Sequence, residues 1–222
     1  NFFLKQNLKH ILKKSLQNYQ ELKNMDYVIN PCLPILYFGD INDYLRSDFK
    51  IITAALNPSD LEFKEAKSDV PSFFRFPEFN DSVESLYLAL NNYFNIKPYI
   101  KWFGKKGVAK SGFLPVLNGL ETCYYKNSKN NTALHTDLCS PIATNPTWSR
   151  LTKHQQFSLR SKGIELWKEL VIELKPDLIL TSFKKEYLDN IPVKYVCTIQ
   201  SKYSKSKKIE YQLNHYELKI DD

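Results

Sequence analysis

Two short stretches hold the residue types that chemistry on a polar ligand requires. Asn57-Pro58-Ser59-Asp60 follows the apolar run at 51–56, and His135-Thr136-Asp137 follows Ala133-Leu134. Pro58 has no N–H for a strand ladder and holds Asn57 extended or in a turn. The run should therefore end there and present the Asn57 amide beyond its carboxyl end. Open α/β sheets bind ligands at that place. An amide such as Asn57 offers both a donor and an acceptor at that place. Ser59 and nearby backbone N–H groups can bind phosphate or water. Asp60 can act as a base or cap the turn. A plain strand followed by an Asn-Pro turn is the competing reading of the same residues. In the second stretch, an ionised Asp137 would be an acceptor only, whereas Asn both donates and accepts. Asp137 would then suit a ligand edge that offers a donor, unless it caps the following turn or pairs with a lysine. His135, a single histidine on a strand, is as readily structural as ligand-binding.

The elements that must position these residues follow from periodicity and punctuation. Leu4, Leu8, Ile11, Leu12, Tyr19 and Leu22 fall at helical spacing, which predicts a peripheral amphipathic helix within residues 1–30. Residues 35–38 read as a strand ended by Gly39-Asp40, and 51–56 as a buried central strand. Residues 60–77 read as a long loop carrying Phe73-Phe74-Arg75-Phe76. Ser82 caps a helix to about Tyr93, with Val83, Leu86, Leu90 and Phe94 inward. Trp102-Phe103-Gly104-Lys105 breaks the pattern, residues 114–125 read as helical, and 127–131 as a polar turn. Residues 133–139 form a second strand-like run, followed by a loop with Ser140-Pro141 and Asn145-Pro146-Thr147-Trp148. Ile164, Trp167, Leu170, Val171 and Leu174 repeat as a helix that stops at Lys175-Pro176. A strand at 178–181, a short helix at 184–188 and a strand at 193–198 come next. A Lys/Ser loop at 201–208 leads to a hairpin strand over 209–220.

Strands alternating with helices predict an α/β protein, a three-layer α/β/α arrangement with a mainly parallel central sheet. The strands at 51–56, 133–137, 178–181 and 193–198 should be neighbours in that sheet. Asn57 and Asp137 should then face one pocket. The length of 222 residues suits a single domain with a sizeable core.

Hydrophobic residues make up 43% of the chain and charged residues 25%, the balance of a globular protein. Fourteen Tyr, fourteen Phe and three Trp can build a core or stack on bases. The net charge of +7 favours a polyanionic partner, with surface solubility as the alternative. Cys32, Cys123, Cys139 and Cys197 show no CxxC spacing, so neither a zinc ribbon nor an iron–sulfur site is expected. No metal or cofactor is expected. No apolar run is long enough to cross a bilayer and no secretory signal is visible. A cytoplasmic monomer with no membrane partner is the simplest expectation.

Three places together resemble the uracil-DNA glycosylase superfamily. Leu56-Asn57-Pro58-Ser59 looks like the first motif of the Asn-Pro-Gly/Ser branches, those of the mismatch-specific and single-strand-selective enzymes. His135-Thr136-Asp137-Leu138-Cys139-Ser140-Pro141 looks like the base-recognising strand, which the single-strand-selective branch spells His-Asn-Leu-Cys-Pro. Leu174-Lys175-Pro176-Asp177-Leu178-Ile179-Leu180 looks like the helix–Lys-Pro–strand unit. Their order covers most of residues 50–200, and the tract from Trp102 to Trp148 also looks like that of a bacterial branch of uncertain substrate. The second motif of the superfamily, often His-Pro-Ser, is absent: the chain reads Ile199-Gln200-Ser201-Lys202-Tyr203 there. The recognition strand carries Asp137 where the superfamily usually has Asn, with one extra residue between His135 and Leu138.

The resemblance implies a DNA glycosylase that flips a base from the helix into a pocket and hydrolyses its N-glycosidic bond. It makes Asn57 and Asp60 the candidate catalytic residues, and Pro58, Ser59, Phe63, Phe74, His135 and Asp137 the candidate base-binding residues. Phe63, Phe73 or Phe74 would stack on the base. Trp148, Arg150, Ser201, Lys202, Lys205, Lys207 and Lys208 would contact DNA, the lysines through phosphates; a solvated charge run is the alternative for the lysines. Uracil presents O4 as an acceptor and N3–H as a donor, which suits Asn. The N4 amino group of cytosine suits an acceptor-only Asp. The expected substrate shifts to a cytosine-type base, for instance a modified cytosine in foreign DNA such as phage DNA, which would make the protein part of antiviral defence. The alternatives are a DNA-binding protein on the same fold without catalysis, and a nucleoside or nucleotide hydrolase.

Overall fold

A computed structural model describes residues 6–65, 68, 70–105, 112–126 and 131–219. The chain divides into two compact units, Asn1–Ser182 and Phe183–Asp222.

In the first unit, α1 (Gln6–Leu22) buries Leu8, Ile11, Leu12 and Tyr19 and half-buries Leu22, as the amphipathic spacing predicts, while Leu4 lies outside the described residues. A short strand β1 (Tyr37–Phe38) and helix α2 (Ile41–Leu45) follow, the latter capped by the Asp40 side chain. The buried strand β2 (Ile51–Ala55) comes next. Helix α3 (Val83–Ile96) starts at a capping box formed by Ser82 and Ser85. Helices α4 (Ile100–Phe103) and α5 (Leu114–Gly119) are short. The expected helix over 114–125 therefore ends early, and Thr122–Cys123 forms strand β3, parallel to β4 (Asn131–Thr132). Gly119, Leu120 and Glu121 carry the break, and Glu121 takes a positive φ of 55°, a conformation that does not continue a helix. Of the expected turn at 127–131, residues 127–130 lie outside the described residues. Strand β5 (Leu134–Asp137), helix α6 (Lys153–Leu174) and strand β6 (Leu178–Thr181) complete the unit. The stop before Pro176 is confirmed, with Lys175 left-handed at φ 47°.

The sheet order is β1-β5-β2-β6. β2 is parallel to both β5 and β6, and β1 is antiparallel to β5. A strand covered on both sides reads as a continuous apolar run, which is why 51–56 was legible. The register sets Thr53 opposite His135 and Ala55 opposite Asp137. His135 and Asp137, two residues apart, share one face of the sheet, and Thr136 takes the other. On the Thr136 face, Trp167 of α6 donates from Nε1 to Thr136 Oγ1 at 3.1 Å. α6 can lie this close because residue 163 is glycine: a Cβ there would come within 2.1 Å of the Cys139 carbonyl oxygen. On the His135 face an aromatic cluster packs Phe38 against Tyr93 and Phe103, and Phe94 stacks on Tyr124.

The second unit is a hairpin, β7 (Val193–Tyr203) antiparallel to β8 (Ile209–Leu218), preceded by a 3-10 turn at Lys185–Asn190. The expectation that 193–198 joins the parallel sheet is overturned, because β7 pairs with β8 alone. The physical reason is local. Only the five residues Ser204 to Lys208 separate the two strands, and a short loop makes antiparallel pairing entropically easy. The expected Lys/Ser loop at 201–208 shrinks accordingly, since Ser201 and Lys202 belong to β7.

Candidate functional site

Beyond the carboxyl ends of β2 and β5 lies a cavity of about 450 Å³. Asn57, Pro58 and Ser59 line it from the chain leaving β2, and His135 and Asp137 line it from β5. Phe38, Tyr99, Trp102, Phe103 and Trp148 supply aromatic walls, and Glu62 adds a second carboxyl group. Residues 80 positions apart thus meet because their strands are adjacent and parallel.

Asn57 is anchored. Its Nδ2 donates to Thr144 Oγ1 at 3.0 Å and to the Ile142 carbonyl at 3.4 Å. A carbonyl accepts only, so the amide nitrogen must face Ile142 and the orientation is fixed. Oδ1 is left to accept from a ligand or water. Ser59 caps the 3-10 turn Asp60–Glu62, its Oγ accepting from Leu61 N at 3.1 Å.

Asp60 is not among the cavity-lining residues. Its carboxylate accepts from the Ser59 hydroxyl at 3.2 Å and lies 3.5 Å from Lys64 Nζ. The carboxyl group on the cavity is Glu62, two residues later. Glu62 is 3% exposed. Its Oε2 accepts from Tyr93 Oη at 2.7 Å and sits 3.5 Å from Arg75 Nε. Tyr93 Oη in turn accepts from the Tyr99 backbone N–H at 2.9 Å. Burial pushes the Glu62 carboxyl up to about 7, against the pull of Tyr93 and Arg75. A carboxyl group that changes state near neutral pH can take a proton and return it.

His135 is fully buried. Its Nδ1 shares a 2.7 Å hydrogen bond with Thr53 Oγ1, which also meets Tyr124 Oη at 2.6 Å. Burial lowers its pKa to about 3, so the imidazole is neutral. Its Nε2 stands 3.9 Å from Asp137 Oδ1. That is within ion-pair range, but a neutral ring forms no ion pair, and the gap exceeds a hydrogen bond.

Asp137 is buried, and neither carboxyl oxygen has a hydrogen-bond partner among the described residues. Among the described residues it neither caps the following turn nor pairs with a lysine. Burial, with the Glu62 charge second, holds its carboxyl well above the usual range. The expectation of an ionised, acceptor-only Asp137 is therefore corrected. An isolated carboxylate in an apolar wall gives up its charge by binding a proton. The side chain then offers one O–H donor and one acceptor.

The other expected positions divide clearly. Trp148 lines the cavity, and its Nε1 is likewise buried and unpartnered among the described residues. Phe63 does not reach the cavity: it is fully buried against Phe73 and Phe76. Phe74 is also elsewhere, with the Arg75 guanidinium 4.6 Å and Lys97 Nζ 5.2 Å from its ring centre. The clustered aromatics at 73–76 are core plugs and cation partners: Phe76 stacks on Tyr93 of α3 and on Phe63. Arg150 is exposed at the end of the 3-10 turn Trp148–Arg150 and does not line the cavity. In the hairpin, Ser201 accepts from Gln212 Nε2 at 3.3 Å, and Lys202 lies 3.4 Å from Glu210. Lys205, Lys207 and Lys208 are exposed in its connecting turn.

Sequence reasoning missed Glu62 and the walls Phe38, Tyr99, Trp102 and Phe103. Ser59-Asp60-Leu61-Glu62 spells a helix-start pattern, which signals the turn but places Glu62 in solvent. Its burial comes from Tyr93 and Arg75, remote in sequence.

Among the described residues no group of three or more His, Cys, Asp and Glu is placed to hold a metal, and no helix is long and apolar enough to cross a membrane. Comparison with known proteins gives no matching family model, no matching curated protein and no matching solved structure.

Proposed function

We propose that this protein is a DNA glycosylase of the uracil-DNA glycosylase type, with that superfamily's three-layer fold, and that it excises a cytosine-type base, plain or modified. The observation that carries the reading is the meeting of Asn57 and Asp137 in one aromatic-lined cavity at the ends of adjacent parallel strands. The cavity volume falls in the range of small-molecule sites. Tyr99, Trp102, Phe103 and Trp148 are suited to stacking on a base taken out of the helix. Asn57 Oδ1 accepts from a water and directs it at C1′, where positive charge develops as the base leaves. Glu62 takes the proton that this water loses. Asp137 reads the Watson–Crick edge of the base. Its neutral acid accepts from the N4 amino group and donates to N3, a two-point match to cytosine. The net positive charge, with the lysines of the hairpin turn, attracts the phosphate backbone. The protein works as a monomer in the cytoplasm, and modified cytosines of phage DNA are the substrates that leave the host genome intact.

The test is to incubate the protein with matched oligonucleotides that differ in one base: uracil, cytosine, 5-methylcytosine or 5-hydroxymethylcytosine. Abasic sites are then revealed by alkaline strand cleavage. Cleavage at a cytosine-type base is expected. A protein that binds these oligonucleotides with a steep salt dependence yet leaves every base in place would be a binding module. Release from free nucleosides alone would make it a nucleoside hydrolase. Either result overturns the reading.

A further inference from the structure

We infer that Asp137 is the general acid of base release: it passes its proton to N3 of an aminopyrimidine, so that the base departs neutral. The inference rests on the base-excision reading and gives it a leaving-group mechanism.

The geometry has three parts. Both Asp137 oxygens are buried, without a hydrogen-bond partner among the described residues, on the wall of the cavity. A buried polar group left unmatched costs free energy, and a ligand edge with one donor and one acceptor removes that cost. Secondly, the groups around Asp137 are engaged with other partners. His135, at 3.9 Å, has its Nδ1 engaged by Thr53 and is kept neutral by burial. Glu62, the carboxyl group whose charge acts on Asp137, is itself tied to Tyr93 and Arg75. Thirdly, the cavity lining holds one histidine among the described residues, His135, and burial keeps its ring neutral, so it offers a departing base anion no positive charge. A proton donated to the ring removes the need for one.

The step balances. The C1′–N1 bond breaks and its electron pair moves into the base as N3 takes the Asp137 proton. The base leaves neutral and Asp137 remains as carboxylate. The water held by Asn57 adds to C1′ and gives its proton to Glu62. Exchange of that proton from Glu62 to Asp137 restores the site. Uracil does not fit this route, because its N3 already carries hydrogen and its carbonyl oxygens are weak bases. Discrimination therefore lies in the bond-breaking step more than in binding.

The experiment compares wild type with Asp137→Asn, which keeps nearly the same volume, on oligonucleotides carrying cytosine or 5-fluorocytosine. Single-turnover release rates are set against Kd for oligonucleotides whose 2′-fluoro sugar resists cleavage. Fluorine makes N3 less basic but the base a better anion. With a general acid these effects oppose each other, so the wild-type rates on the two bases should be similar. Asp137→Asn should lose roughly 10²-fold or more in rate with Kd changed less than about threefold, and its residual activity should favour 5-fluorocytosine. If it releases neither base, Asp137→Glu is tested; recovered release supports the acid role and none overturns it. A loss found entirely in Kd, or a fluoro preference equal to wild type, would show that Asp137 only recognises or shapes the site. Failure of the wild type to release any base overturns this inference together with the base-excision reading.

Discussion

The ends of β2 and β5 lie side by side, but their polar residues are treated in opposite ways. Asn57 is held by Thr144 and Ile142, and Ser59 by the turn it caps. Asp137, opposite Ala55 in the register, has no partner for either oxygen among the described residues. Natural interiors satisfy the large majority of their buried polar atoms. An anchored amide next to an unmatched acid is therefore a division of roles. On the proposed reading, one end is organised in advance and the other is left open for what the base brings. Such a site costs folding stability where it serves function.

The largest effect should come from breaking the organised end. Asn57→Ala removes the acceptor proposed to hold the water, and base release should fall by about 10²–10³-fold, the scale of losing one placed polar group in a catalytic site. Two hydrogen bonds disappear with it, so folding should weaken by only about 1–2 kcal/mol. Single-turnover release and urea unfolding on the same preparation check both halves. A release rate equal to wild type would return Asn57 to the role of an ordinary strand-ending turn.

Next in size is the pH dependence at Glu62. Its carboxyl rises from 4.5 to about 7 on folding, so between those values the folded chain binds a proton that the unfolded chain has lost. The stability from this group is fully present below pH 4.5 and is lost as pH rises through 7. Over that window the loss amounts to about 3 kcal/mol. His135, lowered from 6.5 to about 3, acts with the opposite sign: its contribution grows from pH 3 to 6.5. The clean measure is therefore the difference between wild type and Glu62→Gln, followed by thermal unfolding from pH 4.5 to 8. The variant should gain on wild type as pH rises and then level off. A flat difference would mean that the Glu62 carboxyl keeps its ordinary acidity in the folded chain and that burial does not raise it.

What the sequence made legible follows from these contrasts. β2 and β5 were readable because both are short and buried, and each ends in a polar group, so the pairing of Asn57 with Asp137 could be expected from pattern alone. β7 was misplaced because its apolar residues look the same whether they join a parallel sheet or a hairpin. The difference is made by β8, whose residues come later. Phe63 and Phe74 were set at the ligand because closeness in sequence to Asn57 stood in for closeness in space. The turn at Asp60–Glu62 reverses that, sending Phe63 inward and bringing Glu62 to the cavity. The charge state of Asp137 was out of reach, since it depends on burial and on the neighbouring Glu62 rather than on residue type.

The smallest effect, and the one that sharpens the contrast most, is on stability at the open end. Asp137→Leu replaces an unmatched acid by an apolar side chain of similar shape. No hydrogen bond is lost among the described residues, because neither oxygen makes one. The desolvation cost of the acid disappears, and added apolar contact with Trp148 and Phe103 becomes available across the cavity they line together. The variant should be about 1–2 kcal/mol more stable than wild type at neutral pH, while base release is lost. At the other strand end Asn57→Ala should lose both stability and activity, so the two substitutions move stability in opposite directions. Chemical unfolding midpoints at pH 7 with unchanged slopes make the comparison. If Asp137→Leu destabilises by as much as Asn57→Ala, then Asp137 has a structural partner in solution, and the open acid proposed for base release does not exist.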